Sequence, residues 1–242
     1  MKQNLVIIPT YNECENIADI IQAVMELPSL FDVLIVDDSS PDGTAKIVEN
    51  LMNTQFSGRL FLEVRKEKDG LGRAYIHGFK WAMLHNYQFI YEMDADFSHN
   101  PKDLERLYAT LNQPNVEMVV GSRYSNGVNV INWDMKRVLL SFFASKYVQI
   151  ITGIPIHDTT AGFVGYKRII FEKLDLEAIH SIGYGFQVEM KYRVWAKGFN
   201  IVEVPIIFTD RTKGQSKMHG GIIKEAAFGV LRLKMMNMFG KL

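Results

Sequence analysis

A single cysteine, Cys14, stands among the 242 residues, so no disulfide can form within the chain. Disulfide-stapled secreted folds are thereby excluded, and a reducing compartment is expected. Net charge is missing too, with Lys plus Arg at 27 and Asp plus Glu at 27. No overall basic field points to nucleic acid, and no nucleic-acid partner is expected. Absent as well are uncharged apolar runs of the roughly 18 residues that a spanning helix needs. The longest candidate, residues 147–156, is too short and follows Lys146. Residues 1–9 carry no charged segment ahead of a long apolar stretch, so neither a signal peptide nor a transmembrane helix is expected. Gly70-Leu71-Gly72 lacks both the third glycine of a dinucleotide fingerprint and the Gly-Lys-Ser/Thr ending of a P-loop. A Rossmann dehydrogenase fails on that ground, and the segment reads as a helix start. His77, His85 and His99 have no zinc-ligand spacing.

What is present reads as a globular α/β chain. Hydrophobic residues make up 48%, an ordinary share, and the length suits one large domain or one domain with an appendage. Short apolar runs at 5–8, 33–36, 60–64, 89–93 and 116–120 alternate with helical patterns. In the first of these patterns Ile17, Ile20, Ile21, Val24 and Met25 recur at helical spacing. Continuously apolar strands alternating with helices predict a mostly parallel sheet covered on both faces. The second half is less regular. Residues 183–198 and 219–242 read as helices, and 201–208 as a strand that Pro205 confines to an edge or bends.

In such sheets, ligands bind at the carboxyl ends of the strands, and the polar clusters fall there. Asp94-Ala95-Asp96 follows the strand at 89–93. Two carboxylates one residue apart can share a hard divalent cation, which would neutralise a departing diphosphate. A bare Asp-x-Asp is also common on solvated turns; its place after a buried strand favours the site. The run Asp37 to Thr44 is rich in turn formers. Asp42 suits that plain role, and Asp38 is the better partner for a base N–H or a ribose hydroxyl. Along Pro9-Thr10-Tyr11-Asn12-Glu13, Tyr11 can stack on a base and Glu13 can bond a polar edge. Asn12 is expected to cap the next helix, with Glu15 as its capping-box partner. Arg123 follows a strand, and Arg211 and Lys217 frame a Gly- and Ser-containing segment. Cationic segments of this kind can close over phosphates and exclude water, although single surface cations are usually only solvated.

Taken together, these stretches resemble the dolichyl- or polyprenyl-phosphate mannose synthases of GT-A family 2, a family of inverting glycosyltransferases. The resemblance rests on Pro9 to Glu13, Val36 to Thr44, Gly70-Leu71-Gly72, Ala74-Tyr75-Ile76-His77-Gly78, Met93 to His99, Gly121-Ser122-Arg123-Tyr124, and Asp210-Arg211 through Ser216-Lys217. They occur in family order. Each piece is modest, and the ordered set is specific.

The resemblance implies an α/β GT-A (Rossmann-like) fold with interfacial helices at the C-terminal side. It implies a catalytic domain over residues 1–218 and an apolar helical tail over 219–242. Pro9, Tyr11, Glu13, Val36 and Asp38 would surround the nucleotide. Asp94, Ala95 and Asp96 would form the nucleotide-sugar and metal site, with Asp96 the direct ligand of Mg²⁺ or Mn²⁺. Ser98 stands where some members carry a further metal-ligating Gln. Arg123, Arg211 and Lys217 match cations around the diphosphate and the acceptor phosphate. Trp133, Arg137 and Ser141 match an acceptor-side pattern, in which Arg123 and Arg137 hold the phosphate. The implied activity is transfer of mannose from GDP-mannose to polyprenyl phosphate, with the enzyme peripheral on the cytoplasmic face of a membrane. A membrane-anchoring partner subunit is a further candidate. The same chemistry with a UDP-sugar (glucose or GlcNAc) stays open, as does a non-catalytic nucleotide-sugar-binding subunit, which would need neither the acidic pair nor the cations. Residues 138–156 and 219–242 are both candidates for an interfacial helix. In the second of these, apolar residues run nearly all round, and Lys224, Arg232 and Lys234 do not share one face.

Overall fold

The computed structural model of the chain describes residues 3–181, 183, 185–211 and 222–240. The first half alternates β1 (Asn4–Thr10), α1 (Ile17–Met25), β2 (Phe31–Asp37), α2 (Thr44–Thr54), β3 (Leu60–Val64), α3 (Leu71–Leu84), β4 (Phe89–Glu92), α4 (Asp103–Leu111) and β5 (Met118–Ser122). The second half adds β6 (Val130–Ile131), α5 (Met135–Thr152), β7 (Val164–Lys167), α6 (Arg168–Lys173), α7 (Gly185–Ala196), β8 (Ile201–Pro205), β9 (Phe208–Thr209) and α8 (Ile222–Met238).

Leu5, Val6, Ile7 and Ile8 are all fully buried, because β1 is covered on both faces. Val6 and Ile8 join one core, with α1, α2 and α4; Leu5 and Ile7 join the other, with α3, α6 and α7. The period of two along a strand makes that division. Helix α1 buries Ile17, Ile20, Ile21, Val24 and Met25 as one stripe, as their spacing predicts. The main sheet runs β3-β2-β1-β4-β7-β5-β8. Among its strands β7 alone is reversed, pairing antiparallel with both β4 and β5. β8 is an edge strand ending at Pro205, in line with the sequence reading. The reversed strand, and the two-stranded β6-β9 sheet, have no counterpart in that reading. Gly165 lets β7 fit: a Cβ there would lie 2.8 Å from both the Tyr91 ring and Val119 Cγ1.

The start of α1 departs from expectation. The helix begins at Ile17 rather than just after Asn12, and no side chain caps it. Asn12 instead adopts a left-handed φ of 56°. The backbone donors ahead of the helix are taken by the β2–α2 turn: Asn12 N–H by Ser40 Oγ, Glu13 N–H by Thr44 Oγ1, and Cys14 N–H by Asp42 Oδ2. With the Asn12 N–H taken by this neighbouring turn, the capping-box bond from Glu15 has no donor there.

Helix α8 packs against α5 and α7. Lys234 Nζ donates to Thr152 O at the end of α5, and Asn237 Nδ2 to Tyr192 Oη on α7. Both α5 and α8 keep an apolar stripe outward. On α5 it comprises Met135, Leu139, Phe143 and Ile150, and on α8 Phe228, Leu231, Met235 and Met238; all are exposed. Among the described residues, no helix is long and apolar enough to cross a membrane.

Candidate active site

Six strands of the main sheet run one way. Their carboxyl ends therefore deliver residues 10–13, 37–42, 94–99 and 123 to one edge of the sheet. Strand order reverses at β1, which has β2 on one side and β4 on the other, and such a switch point opens a crevice. Asp37 ties one wall together. It is fully buried and accepts from Thr10 Oγ1 at 2.7 Å, Ser40 N at 2.8 Å and Ser40 Oγ at 2.6 Å. Its neighbour Asp38 is left for other work. Arg65 Nε lies 3.3 Å from Asp38 Oδ1, yet Asp38 Oδ1 and Arg65 Nη1 are buried with no hydrogen-bond partner. Lys68 Nζ stands 4.1 Å over the Tyr11 ring. Pro9 and Glu13 are half-buried beside them. Val36 is a core residue beneath this wall, as is Ala95 beneath the acidic turn. Asp42 closes the turn into α2 by accepting from Thr44 N and Oγ1, and against the cost of burial those bonds and the one from Cys14 N–H lower its carboxyl to about 2.

The acidic turn leaves β4 with Asp94 half-buried and Asp96 buried. Asp96 Oδ1 accepts from Ser98 N at 3.0 Å, and its Oδ2 lies 2.9 Å from Arg211 Nη2. Burial of the turn and the neighbouring Asp96 carboxylate push Asp94 upward; 39% of its side chain still meets solvent, which tempers the shift. Phe97, next in the chain, holds a left-handed φ of 60°, costly for a bulky residue and a mark of an over-determined turn. His99 is buried against Phe163 with ring centroids 4.9 Å apart, and burial lowers it to about 4. A neutral ring at pH 7 can accept the Asp94 N–H at Nδ1, 3.4 Å away. A hard divalent cation fits this turn. Its donors are carboxylate oxygens, and their mutual repulsion is what a cation relieves. Among the described residues no third His, Cys, Asp or Glu completes the set. Such an ion would draw its remaining ligands from water and a bound diphosphate.

The cations sit across the cleft, and each described one has a carboxylate partner. Arg123 is buried and bidentate to Asp158, Nε at 2.7 Å from Oδ2 and Nη2 at 2.7 Å from Oδ1. The Arg123 backbone N–H also donates to Asp158, and Nη2 to Thr160 Oγ1. Its guanidinium lies 5.2–5.6 Å from the ring centres of Tyr124, Trp133 and Phe208. Arg137 stacks on Trp133 at 4.1 Å and pairs with Asp210 at 2.8 Å. The Trp133 Nε1–H is buried without a partner, a donor held ready. Ser141 follows one turn along α5, half-buried. Phe208 meets the rings of both His99 and Trp133 edge-on, at 5.3 and 5.2 Å, and so joins the acidic and cationic sides. Lys217 lies outside the described residues.

Several site residues were not singled out from sequence. Asp158 is fully buried, and Glu203 accepts its backbone N–H. Glu92, two residues before Asp94, is fully buried and accepts from Tyr166 Oη at 2.8 Å and from Gln187 Nε2. Gln187 in turn accepts from Lys191, whose Nζ also reaches Ala161 O at 2.6 Å. This carboxylate–amide–ammonium relay underpins the acidic turn. Its signal in sequence was the run of charges Glu189, Lys191 and Arg193 inside an otherwise apolar helix, where a solvated face would space them differently.

Comparison with known proteins identifies the family and the fold. The sequence model of glycosyl transferase family 2 matches residues 5–175. The polyprenol monophosphomannose synthase of Mycolicibacterium smegmatis is 43% identical over 229 residues, covering 95% of this chain and 86% of that protein. The undecaprenyl-phosphate mannosyltransferase of Micrococcus luteus is 42% identical over 228 residues, covering 94% and 92%. Among solved structures, the glucosyl-3-phosphoglycerate synthase of Mycobacterium tuberculosis superimposes with a TM-score of 0.70 at 13% identity, over 98% of this chain and 80% of that one. The same enzyme solved with Mn²⁺, UDP-glucose and phosphoglyceric acid gives a TM-score of 0.68 at 13% identity, over 98% and 79%. Those superpositions establish the GT-A-like architecture. With a family model matched over residues 5–175 and relatives over 40% identical across nearly the whole chain, this chain belongs to glycosyl transferase family 2.

Proposed function

We propose that this glycosyltransferase moves mannose from GDP-mannose to a polyprenyl phosphate with inversion, and that a divalent ion, Mg²⁺ or Mn²⁺, serves the transfer. One observation carries the reading: a carboxylate pair and a guanidinium–indole pair face one cleft, joined through Asp210 and Arg211. The first suits a metal-bound diphosphate and the second a phosphate monoester. The sugar and the lipid come from the relatives that share over 40% identity.

Asp94 and Asp96 would hold the ion, which supplies charge neutralisation for the leaving diphosphate. Arg211, already beside Asp96, adds a second positive charge there, with Lys217 a further candidate. Arg137 and the Trp133 N–H bind the acceptor phosphate, and Ser141 on the next turn can add a hydroxyl. Arg123, given its two-pronged bond to Asp158, positions the wall of Tyr124, Trp133 and Phe208 and lends long-range positive charge. The acceptor is anionic at neutral pH and needs little help from a base. The protein's task is to align two anions in line, and a single displacement from the back face inverts the anomeric carbon. At the base, a carboxylate accepts from the paired N1–H and N2–H of guanine while an adjacent guanidinium donates to O6. Asp38 and Arg65 offer that pattern, and uracil's single N–H between two carbonyls suits it less well. On this reading residues 1–218 are the catalytic domain and the chain beyond, which contains α8, is its C-terminal appendage.

The decisive assay is transfer from radiolabelled GDP-mannose to a short polyprenyl phosphate with and without Mn²⁺. Metal-dependent label in the lipid phase is expected, with Asp38→Ala raising KM for GDP-mannose at least tenfold. Transfer from UDP-glucose alone would keep the chemistry and replace the sugar. Failure with every donor in a folded protein would point to the non-catalytic subunit.

The lipid acceptor also gives the outward stripes of α5 and α8 a role as a peripheral membrane surface, at the cytoplasmic face and with or without an anchoring subunit. Burying one such side chain contributes about 1.5–3 kcal/mol. Phe143→Glu combined with Phe228→Glu is therefore expected to cut partitioning onto phospholipid vesicles at least tenfold in a sedimentation assay. Unchanged partitioning would take the stripes out of membrane contact.

A further inference from the structure

Asp210 and Arg211 are consecutive, yet each is spent on a different half of the cleft. Asp210 Oδ1 lies 2.8 Å from Arg137 Nη1, where the proposed acceptor phosphate binds. Arg211 Nη2 lies 2.9 Å from Asp96 Oδ2, where the proposed ion binds. Both contacts are at least two-thirds shielded, with side-chain exposures of 29% and 30% for Arg137 and Asp210, and 25% and 5% for Arg211 and Asp96. The backbone fixes the pair in place. Thr209 N–H donates to Ser98 O in the acidic turn, Asp210 N–H donates to Ile131 O, and Arg211 N–H returns to Asp210 Oδ1. A carboxylate thus stands where a phosphate is to sit, and a cation stands where a metal is to sit.

We propose that the Asp210–Arg211 dipeptide is a charge placeholder: Asp210 stands in for the acceptor phosphate and Arg211 for the metal, so that filling either subsite favours filling the other. The inference rests on the reading that Asp96 holds the ion and Arg137 the phosphate. A phosphate monoester carries up to twice the charge of a carboxylate and displaces it from a guanidinium. Two carboxylates likewise prefer a divalent ion to one guanidinium. Because a single peptide joins the placeholders, releasing Asp210 loosens Arg211 from Asp96, and the reverse holds by linkage. Asp210 is then a positioning residue, touching neither the ion nor the sugar.

Simple electrostatics and the placeholder predict opposite signs for Asp210→Asn. Removing a negative charge near the acidic turn should by Coulomb attraction alone weaken Mn²⁺ binding. The placeholder predicts tighter binding, by threefold or more, because Arg211 has lost its tether. Mn²⁺ titrations on the whole protein, read by electron paramagnetic resonance, distinguish them. In the wild type, a water-soluble short-chain isoprenyl monophosphate is expected to tighten Mn²⁺ at least threefold; in Asp210→Asn that extra gain should vanish. Asp210→Ser removes the same carboxylate, leaves the phosphate-binding Arg137 in place, and carries the test should Asp210→Asn melt early. Weaker Mn²⁺ binding in Asp210→Asn, or a phosphate effect as large there as in the wild type, overturns the placeholder while leaving the metal reading intact. A wild type that binds no Mn²⁺ removes the metal reading and the placeholder together.

Discussion

Asp96→Asn is expected to lower kcat/KM for sugar transfer by about a thousandfold. Metal-assisted stabilisation of a leaving group amounts to several kcal/mol, and each 1.36 kcal/mol is about a factor of ten. The asparagine is the cleaner variant. Its side-chain oxygen keeps the bond that Asp96 accepts from Ser98 N, so the turn survives while the charge is lost. Asp96→Ala should show the same loss of activity together with a lower melting temperature, because the Ser98 N–H is left without its partner. Steady-state transfer rates and thermal unfolding, measured on both variants, separate the two effects. An Asp96→Asn enzyme that keeps more than a tenth of wild-type activity would remove Asp96 from the ion's ligands.

The largest stability effect is expected at Asp158, away from the reacting atoms. Asp158→Ala leaves the buried Arg123 guanidinium without its two-pronged partner, and breaking a buried pair from one side costs about 3–5 kcal/mol. In a chain of this size each kcal/mol moves the melting temperature by roughly 2–4 °C, so a fall of about 10 °C is expected. The pH dependence has a definite sign. The Arg123 guanidinium and the hydrogen bonds from Arg123 hold the Asp158 carboxyl below its usual range, against the opposing pull of burial. Its contribution is therefore complete above the unfolded value near 4 and is lost only as pH falls through the lower folded value. The gap between wild type and variant should accordingly be full at pH 7 and narrow below about pH 4. Melting curves by circular dichroism check both points. A shift under about 3 °C at pH 7 would mean that the Arg123 charge finds water or another partner.

The first half of the fold was legible because period and composition agree there. Strand β1 reads as a run of apolar residues and is buried on both faces, and α1 reads as a stripe and buries that stripe. The acidic turn was legible for a related reason: two aspartates directly after a buried strand have few structural uses. Asn12 misled because capping preference is local, whereas the donors around it are satisfied by Ser40, Thr44 and Asp42, some 28–31 residues away. Arg123 and Asp158 are 35 residues apart, and no local pattern announces that they meet. The same holds for Asp210 and Arg137, at a separation of 73. Periodicity reports which face of an element is buried; it says nothing about which charge on another element lies opposite.

The reversed strand β7 has a consequence for how the cleft can vary. A parallel strand presents its exit at the catalytic edge, so the loop it supplies leads onward into a covering helix. Strand β7 presents its beginning there, and the chain arriving at that point comes from α5 through residues 153–163. The edge thus gains a loop whose far end hangs from the outward-striped helix instead of the sheet. Asp158, bonded to Arg123 and to Glu203 of β8, pins the middle of this loop, so changes in length on the α5 side of Asp158 would shift that helix relative to the crevice while every strand kept its register.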